Sequence, residues 1–160
     1  MAEITRLFDQ LRRAFDDDEP WAGPSLLATL ADLPAAQAAQ YPVGNAHSMW
    51  EIVRHFTAWA DVAGRRLVAN TQLQISNQED LPAQPTEADW QAALFTLRVA
   101  HEQLLGVAAP LNDAALARPI SATFGAPQGP GATAYVMLHG VAQHYLYHAG
   151  QLALLRKAVV

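Results

Sequence analysis

The sequence predicts an all-α fold, a four-helix bundle with long crossover loops. Three observations point there. Apolar residues recur at helical spacing through four long segments, no period-two alternation competes with them, and Pro- and Gly-marked breaks separate them. Helices of roughly twenty residues are about 30 Å long, the scale on which four of them enclose a core. The 160 residues, 51% apolar and 16% charged, suit one domain over positions 1–160 that needs no disulfide staple.

The first helix runs from about Ile4 to Phe15, with Leu7, Leu11, Ala14 and Phe15 on one stripe, and "DDDEPWAGP" ends it. A short helical piece, "SLLATLADL", follows Pro24. The alanines of "PAAQAAQYPVGN" tolerate helix, but Pro34 and Pro42 bound the segment, so it reads as a connector. The second long helix begins near "NAHSMWEIVRHF", capped by Asn45 or by Ser48, with Glu51 as the capping-box partner of Ser48. Met49, Ile52, Val53, Phe56, Trp59 and Ala60 give it a broad apolar face as far as about Asn70.

"TQLQISNQEDLPAQP" is a polar crossover, long enough to change the end from which the chain re-enters the bundle. Thr86 caps the third long helix, which continues to about Val107. The Pro- and Gly-rich stretch from Ala109 to Ala132 reads as an irregular loop bordering the site opening. The last helix runs from about Thr133 to Lys157, where Arg156 and Lys157 suit the negative end of the helix dipole.

Composition removes several function classes. A net charge of -5 without any Lys/Arg cluster argues against a nucleic-acid surface. The absence of cysteine excludes a thiolate nucleophile, a disulfide framework and a Cys-ligated zinc. "MAEITRLFDQLRRAF" lacks the basic-then-apolar order of a signal peptide, and no charge-poor apolar run reaches membrane-spanning length. A soluble cytoplasmic protein without a membrane partner is the expectation.

The chemistry-bearing stretch is "HGVAQHYLYHAG", three histidines in an apolar helix. His144 and His148 are one turn apart and about 40° apart around the axis, so both imidazoles can reach one ion. His139 lies about half a circumference from His148 and cannot easily join them. Gln151 shares their face. A helical HxxxH pair is a weak signal alone, because a mononuclear site needs at least a third protein ligand. The second long helix supplies candidates. His55 lies mid-helix among Ile52, Phe56 and Trp59. His47, about 12 Å up the axis, cannot ligate the same ion and reads as a helix-start residue or a group behind the ligands. His101, in "RVAHEQL", reads as exposed.

Other site types fail on residue identity. Tyr145 follows His144 where an HExxH protease places its glutamate. The last helix contains no acidic residue, as a di-iron bundle would require, and no GxSxG elbow occurs. What survives is a three-histidine mononuclear site with open positions.

These residues also carry a family likeness. "HSMWEIVRHFTAW" and "HGVAQHYLYHAGQLALLRKA" together resemble the DinB/YfiT-like superfamily of metalloenzymes, and "LPAQPTEADWQAALFTLRVAHEQLL" resembles its third-helix entry, with Trp90 in the usual place. The likeness covers nearly the whole chain. It implies an up-down-down-up bundle, usually a homodimer. It also implies a divalent metal ion, often nickel or zinc, held by one histidine of the second helix and two of the last, here His55, His144 and His148. Activities known in the superfamily are thiol-dependent transfer and isomerisation, which implies a small-molecule substrate and a low-molecular-weight thiol cosubstrate. With no cysteine in the chain, the thiol would have to come from outside.

Glu51 and Gln151 are the catalytic candidates. Glu51 stands one turn before His55 and can orient an imidazole or take a proton, although it also fits a purely capping role. Gln151 and Tyr147 can support the ligands or simply bond to backbone. Two non-catalytic readings stand beside the enzyme: a metal-binding stress or storage bundle, and a structural dimer whose histidines are satisfied without metal. Gly140 and Gly150 each cost a helix interior about 1 kcal/mol, which points to close approach by a neighbouring helix or a partner subunit.

Overall fold

The computed structural model describes residues 2–17, 21, 23–69, 84–120 and 132–159. They form α1 (Glu3–Phe15), α2 (Leu26–Leu30), α3 (Ala35–Ala38), α4 (Met49–Ala69), α5 (Glu87–Ala108), α6 (Asp113–Leu116) and α7 (Ala134–Ala158). Among the described residues there is no strand, only an isolated bridge between Pro119 and Thr133. No described helix is long and apolar enough to cross a membrane. The crossover predicted over residues 71–85 lies largely outside the described residues.

The long helices start where side chains satisfy the free backbone amides. Thr86 accepts from the Asp89 amide while Asp89 reaches back to the Thr86 amide, a complete capping box. Ser48 and Glu51 form the same reciprocal pair at the head of α4, at 3.2 and 2.8 Å. Thr133 accepts from the Val136 amide at the head of α7. At the other end of α4, Arg118 donates to the Leu67 carbonyl at 3.0 Å.

α1, α4, α5 and α7 are the four helices of the bundle. α4 and α5 run parallel: Trp50 meets Trp90 near their starts, and Gly64 faces the Leu104 backbone towards their ends. α7 runs against α4, because Arg118, bridged to the start of α7, reaches the end of α4, whereas His144 and His148 reach His55 near its start. α1 lies along α7 in the same sense: α6, beside the start of α7, touches α1, and Thr29 beyond α1 accepts from Arg156 near the end of α7. The order is therefore up, down, down, up. Leu7, Leu11, Phe15, Phe56, Trp90, Leu97, Leu104, Leu138, Tyr145 and Leu152 fill the centre, each 2% exposed or less.

Three expectations need correction. The connector after Pro34 contains the helical turn α3, because the Glu87 carboxylate accepts from the Ala35 amide at 2.9 Å and caps it. Nearby, the Trp90 indole donates to the Leu33 carbonyl at 2.7 Å, tying the connector to α5. The long loop after α5 is not wholly irregular: Asn112 caps the short α6. Its described part meets the end of α4, about 18 Å along that helix from His55, and residues 121–131 lie outside the described residues. Third, a Cβ on Gly140 or Gly150 would meet nothing within 4 Å among the described residues, so the close approach of a neighbouring helix is not seen at either glycine, which leaves the partner subunit of the expectation.

Candidate metal centre

Three imidazoles from two antiparallel helices converge in the bundle wall. His55 Nε2 faces His144 Nε2 at 3.1 Å. Ring centroids are 5.0 Å apart for His55–His144, 5.1 Å for His55–His148 and 4.6 Å for His144–His148. One nitrogen from each ring lies within 4.8 Å of the others. A tetrahedral ion with bonds of about 2.0–2.1 Å separates its nitrogen ligands by about 3.3 Å, so the cluster is near the right size. All three rings are half-buried, which leaves the cluster open on one side.

The walls and hydrogen bonds orient the rings. Phe56 stands edge-on to His144 and His148 at 5.6 and 5.4 Å, and Trp59 closes on His144 at 5.8 Å. The Gln151 Oε1 atom pairs with His148 Nδ1. A carbonyl oxygen there fixes a proton on Nδ1 and leaves Nε2 as the lone-pair nitrogen. Tyr147 packs its ring edge 4.9 Å from His148 at the rim.

Burial makes the cluster chemically ready. It pushes His55 and His144 down to about 4, helped by the neighbouring histidines, so both are neutral at pH 7. His148 is also lowered by burial, while Gln151 pulls the other way. Neutral imidazole is the form that ligates a metal.

The candidate acid sits apart from the ligands. Glu51 accepts from the Tyr41 hydroxyl at 3.0 Å and the Ser48 amide at 2.8 Å, and lies 3.4 Å from His47 Nδ1. Burial works to raise its pKa, but the Ser48 and Tyr41 hydrogen bonds and the His47 charge hold it below the usual range. The Tyr41 partner was not foreseen, and a tyrosine ten residues upstream in a connector gives no local signal. His47 is largely exposed and outside the cluster. His139 is also outside it, edge-on to Tyr135 at 4.4 Å.

His101 is a correction. It was expected at the surface but is fully buried, stacked on Phe15 at 3.8 Å with its Nδ1 3.3 Å from the Tyr145 hydroxyl. The signal was present in the sequence: Leu97, His101, Leu104, Leu105 and Ala108 make one helical stripe, and the polar neighbours Glu102 and Gln103 disguised it.

Fold and site together define an all-helical bundle with a three-histidine cluster able to hold a metal ion. A family model described as the DinB superfamily matches residues 21–152, and the chain belongs to that superfamily. Among solved structures it is similar to a conserved protein from Enterococcus faecalis, with a TM-score of 0.69 and 16% identity over 99% of this chain and 98% of that one. At that identity the likeness carries the fold alone. No curated protein matches the chain.

Proposed function

We propose that His55, His144 and His148 hold one divalent metal ion, nickel or zinc, and that the protein is a metal-dependent enzyme. In this reading it acts on a small electrophile with a low-molecular-weight thiol as cosubstrate. The observation that carries the proposal is the convergence of three half-buried imidazoles at near-ligand spacing. Three protein ligands are the donor set of a catalytic rather than a closed structural site. Bound there, the ion would lower the pKa of a water or thiol, or polarise a substrate oxygen.

The chain's own residues have separate tasks. Gln151 keeps the His148 proton on Nδ1, and Phe56 and Trp59 exclude water from the inner side of the cluster. Glu51, 3.4 Å from the His47 ring at the head of α4 and one turn before His55, is the proton acceptor in this reading. The test is thiol consumption across a panel of electrophiles, with His144→Ala as the control. Turnover by the wild type that the variant lacks supports the enzyme. Equal background rates from both remove it and leave a non-catalytic metal-binding bundle.

A second reading also rests on a specific contact. The 3.1 Å approach of His55 to His144 can be a single shared proton, and Gln151 already pairs with His148, so the cluster can be satisfied without metal. Protein that purifies metal-free, with a melting temperature indifferent to added Ni²⁺ or Zn²⁺, would favour it.

A further inference from the structure

We infer that the cleft between α5 and the segment joining α2 to α3 is a second ligand site, which takes a short zwitterionic peptide with apolar side chains. The cleft has a volume of about 570 Å³, within the roughly 300–1,000 Å³ of small-molecule sites. None of its lining residues lies on α4 or α7, the helices that carry His55, His144 and His148. One wall is a stripe of α5, Glu87, Gln91, Leu94 and Arg98, whose spacing sets all four on one face. The opposite wall is the end of α2 and the turn after it, including Leu30 and Asp32. The Trp90 indole bonded to the Leu33 carbonyl at 2.7 Å and the Ala35 amide bonded to Glu87 at 2.9 Å fix one wall against the other. The cleft therefore exists before a ligand arrives, which keeps the ordering cost of binding low.

Its charges select the ligand. Residues 30–33 form a type II turn: Ala31 has φ −58° and ψ 138°, Asp32 has φ 55°, and the Leu33 amide donates to the Leu30 carbonyl at 3.4 Å. The third position of such a turn calls for glycine or asparagine, because other side chains there crowd the backbone. An aspartate stands there instead, and among the described residues its carboxylate has no hydrogen bond or ion pair. The turn itself does not need that carboxylate. Arg98 is exposed and also without a partner among the described residues. The two do not neutralise each other, so the cleft keeps a negative end at the turn and a positive end on α5. Both Glu87 oxygens are taken, by the Ala35 amide and the Gln91 side chain, which leaves Asp32 as the partner for an ammonium group.

Length then sets the size of the ligand. The Leu33 and Ala35 bonds place the turn level with Trp90 and Glu87, and Arg98 lies about 12 Å beyond Trp90 along α5. An extended tripeptide spans about 10–11 Å. Its ammonium group can meet Asp32 while its carboxylate meets the Arg98 guanidinium, a fork that suits a carboxylate. Its first and third side chains point the same way, towards the apolar floor of Leu30 and Leu94. A single amino acid is too short to engage both ends, and a polyamine or a phosphate carries only one sign of charge.

The test is calorimetric titration of the full chain with the tripeptide Leu-Ala-Leu. One site per chain with a Kd below about 1 mM is expected. N-acetyl-Leu-Ala-Leu and Leu-Ala-Leu-amide, each lacking one terminal charge, are expected to bind about tenfold or more weakly. Arg98→Gln is expected to weaken the free peptide by the same factor and the amide no further, because that pair is already lost. Asp32→Gly is expected to weaken the free peptide likewise, yet to melt no lower than wild type, since glycine suits the turn. No saturable binding up to about 10 mM, capped peptides that bind as well as the free one, or wild-type affinity in both variants would overturn the inference.

Discussion

The Nε2 atoms of His55 and His144, 89 residues apart in the chain, face each other at 3.1 Å between two antiparallel helices. Chain proximity cannot produce that contact. It depends on the long path through α5 and its following loop bringing α7 back against α4.

Metal should therefore stabilise the fold through this pair. Ion at 100 times its Kd contributes about 2.7 kcal/mol, which for a chain of this size raises the melting temperature by about 5–10 °C. Calorimetry with and without Ni²⁺ or Zn²⁺ is expected to show that rise in wild type and none in His144→Ala. An equal rise in both would place the ion elsewhere.

Gln151 should matter to affinity rather than to folding. Its half-buried amide fixes the His148 tautomer, and losing such a partner weakens metal binding by about 10–100-fold. Gln151→Leu is expected to show that loss in a competition titration while unfolding at an unchanged urea midpoint. Wild-type affinity in the variant would show that the contact does nothing for the metal.

Glu51 separates two roles by one substitution. Glutamine also completes a capping box, so Glu51→Gln keeps the helix start and costs under about 1 kcal/mol. As proton acceptor, its removal should slow thiol consumption by about a hundredfold with metal content unchanged. An unaltered rate would leave Glu51 as the cap alone.

His101 should couple stability to pH. Burial, with the Arg12 charge added, pushes it from 6.5 down to about 4 in the folded protein. Between those values the unfolded chain binds a proton that the folded chain does not. Its contribution is thus fully present above pH 6.5, falls as the pH drops towards 4 and is flat below, a loss on the order of 3 kcal/mol. His55 and His144 act with the same sign in metal-free protein. Urea titrations from pH 7.5 to 4.5 are expected to give a shallower decline for His101→Gln than for wild type. Parallel curves would contradict the assignment.

Much of this was legible in local pattern. The four long helices follow from apolar periodicity, and the caps at Thr86 and at Ser48, one of two candidates there, from residue type next to a periodic run. The HxxxH pair was readable because helix geometry fixes what His144 and His148 can reach together, and what His139 cannot. Other features were set by distant partners. α3 is capped by Glu87, 52 positions away, after a proline that locally argues for a break. Tyr41 meets Glu51 only once the connector folds back. His101 was misread for a different reason: its immediate neighbours are polar, and burial follows the stripe rather than the neighbours.

Elemental analysis of tag-free protein, reloaded with Ni²⁺ or Zn²⁺ and freed of excess, tests the histidine centre most directly. One ion per wild-type chain, with little or none retained by His55→Ala, is the expected result. A ratio well below one in wild type, or a full ion in the variant, would contradict it.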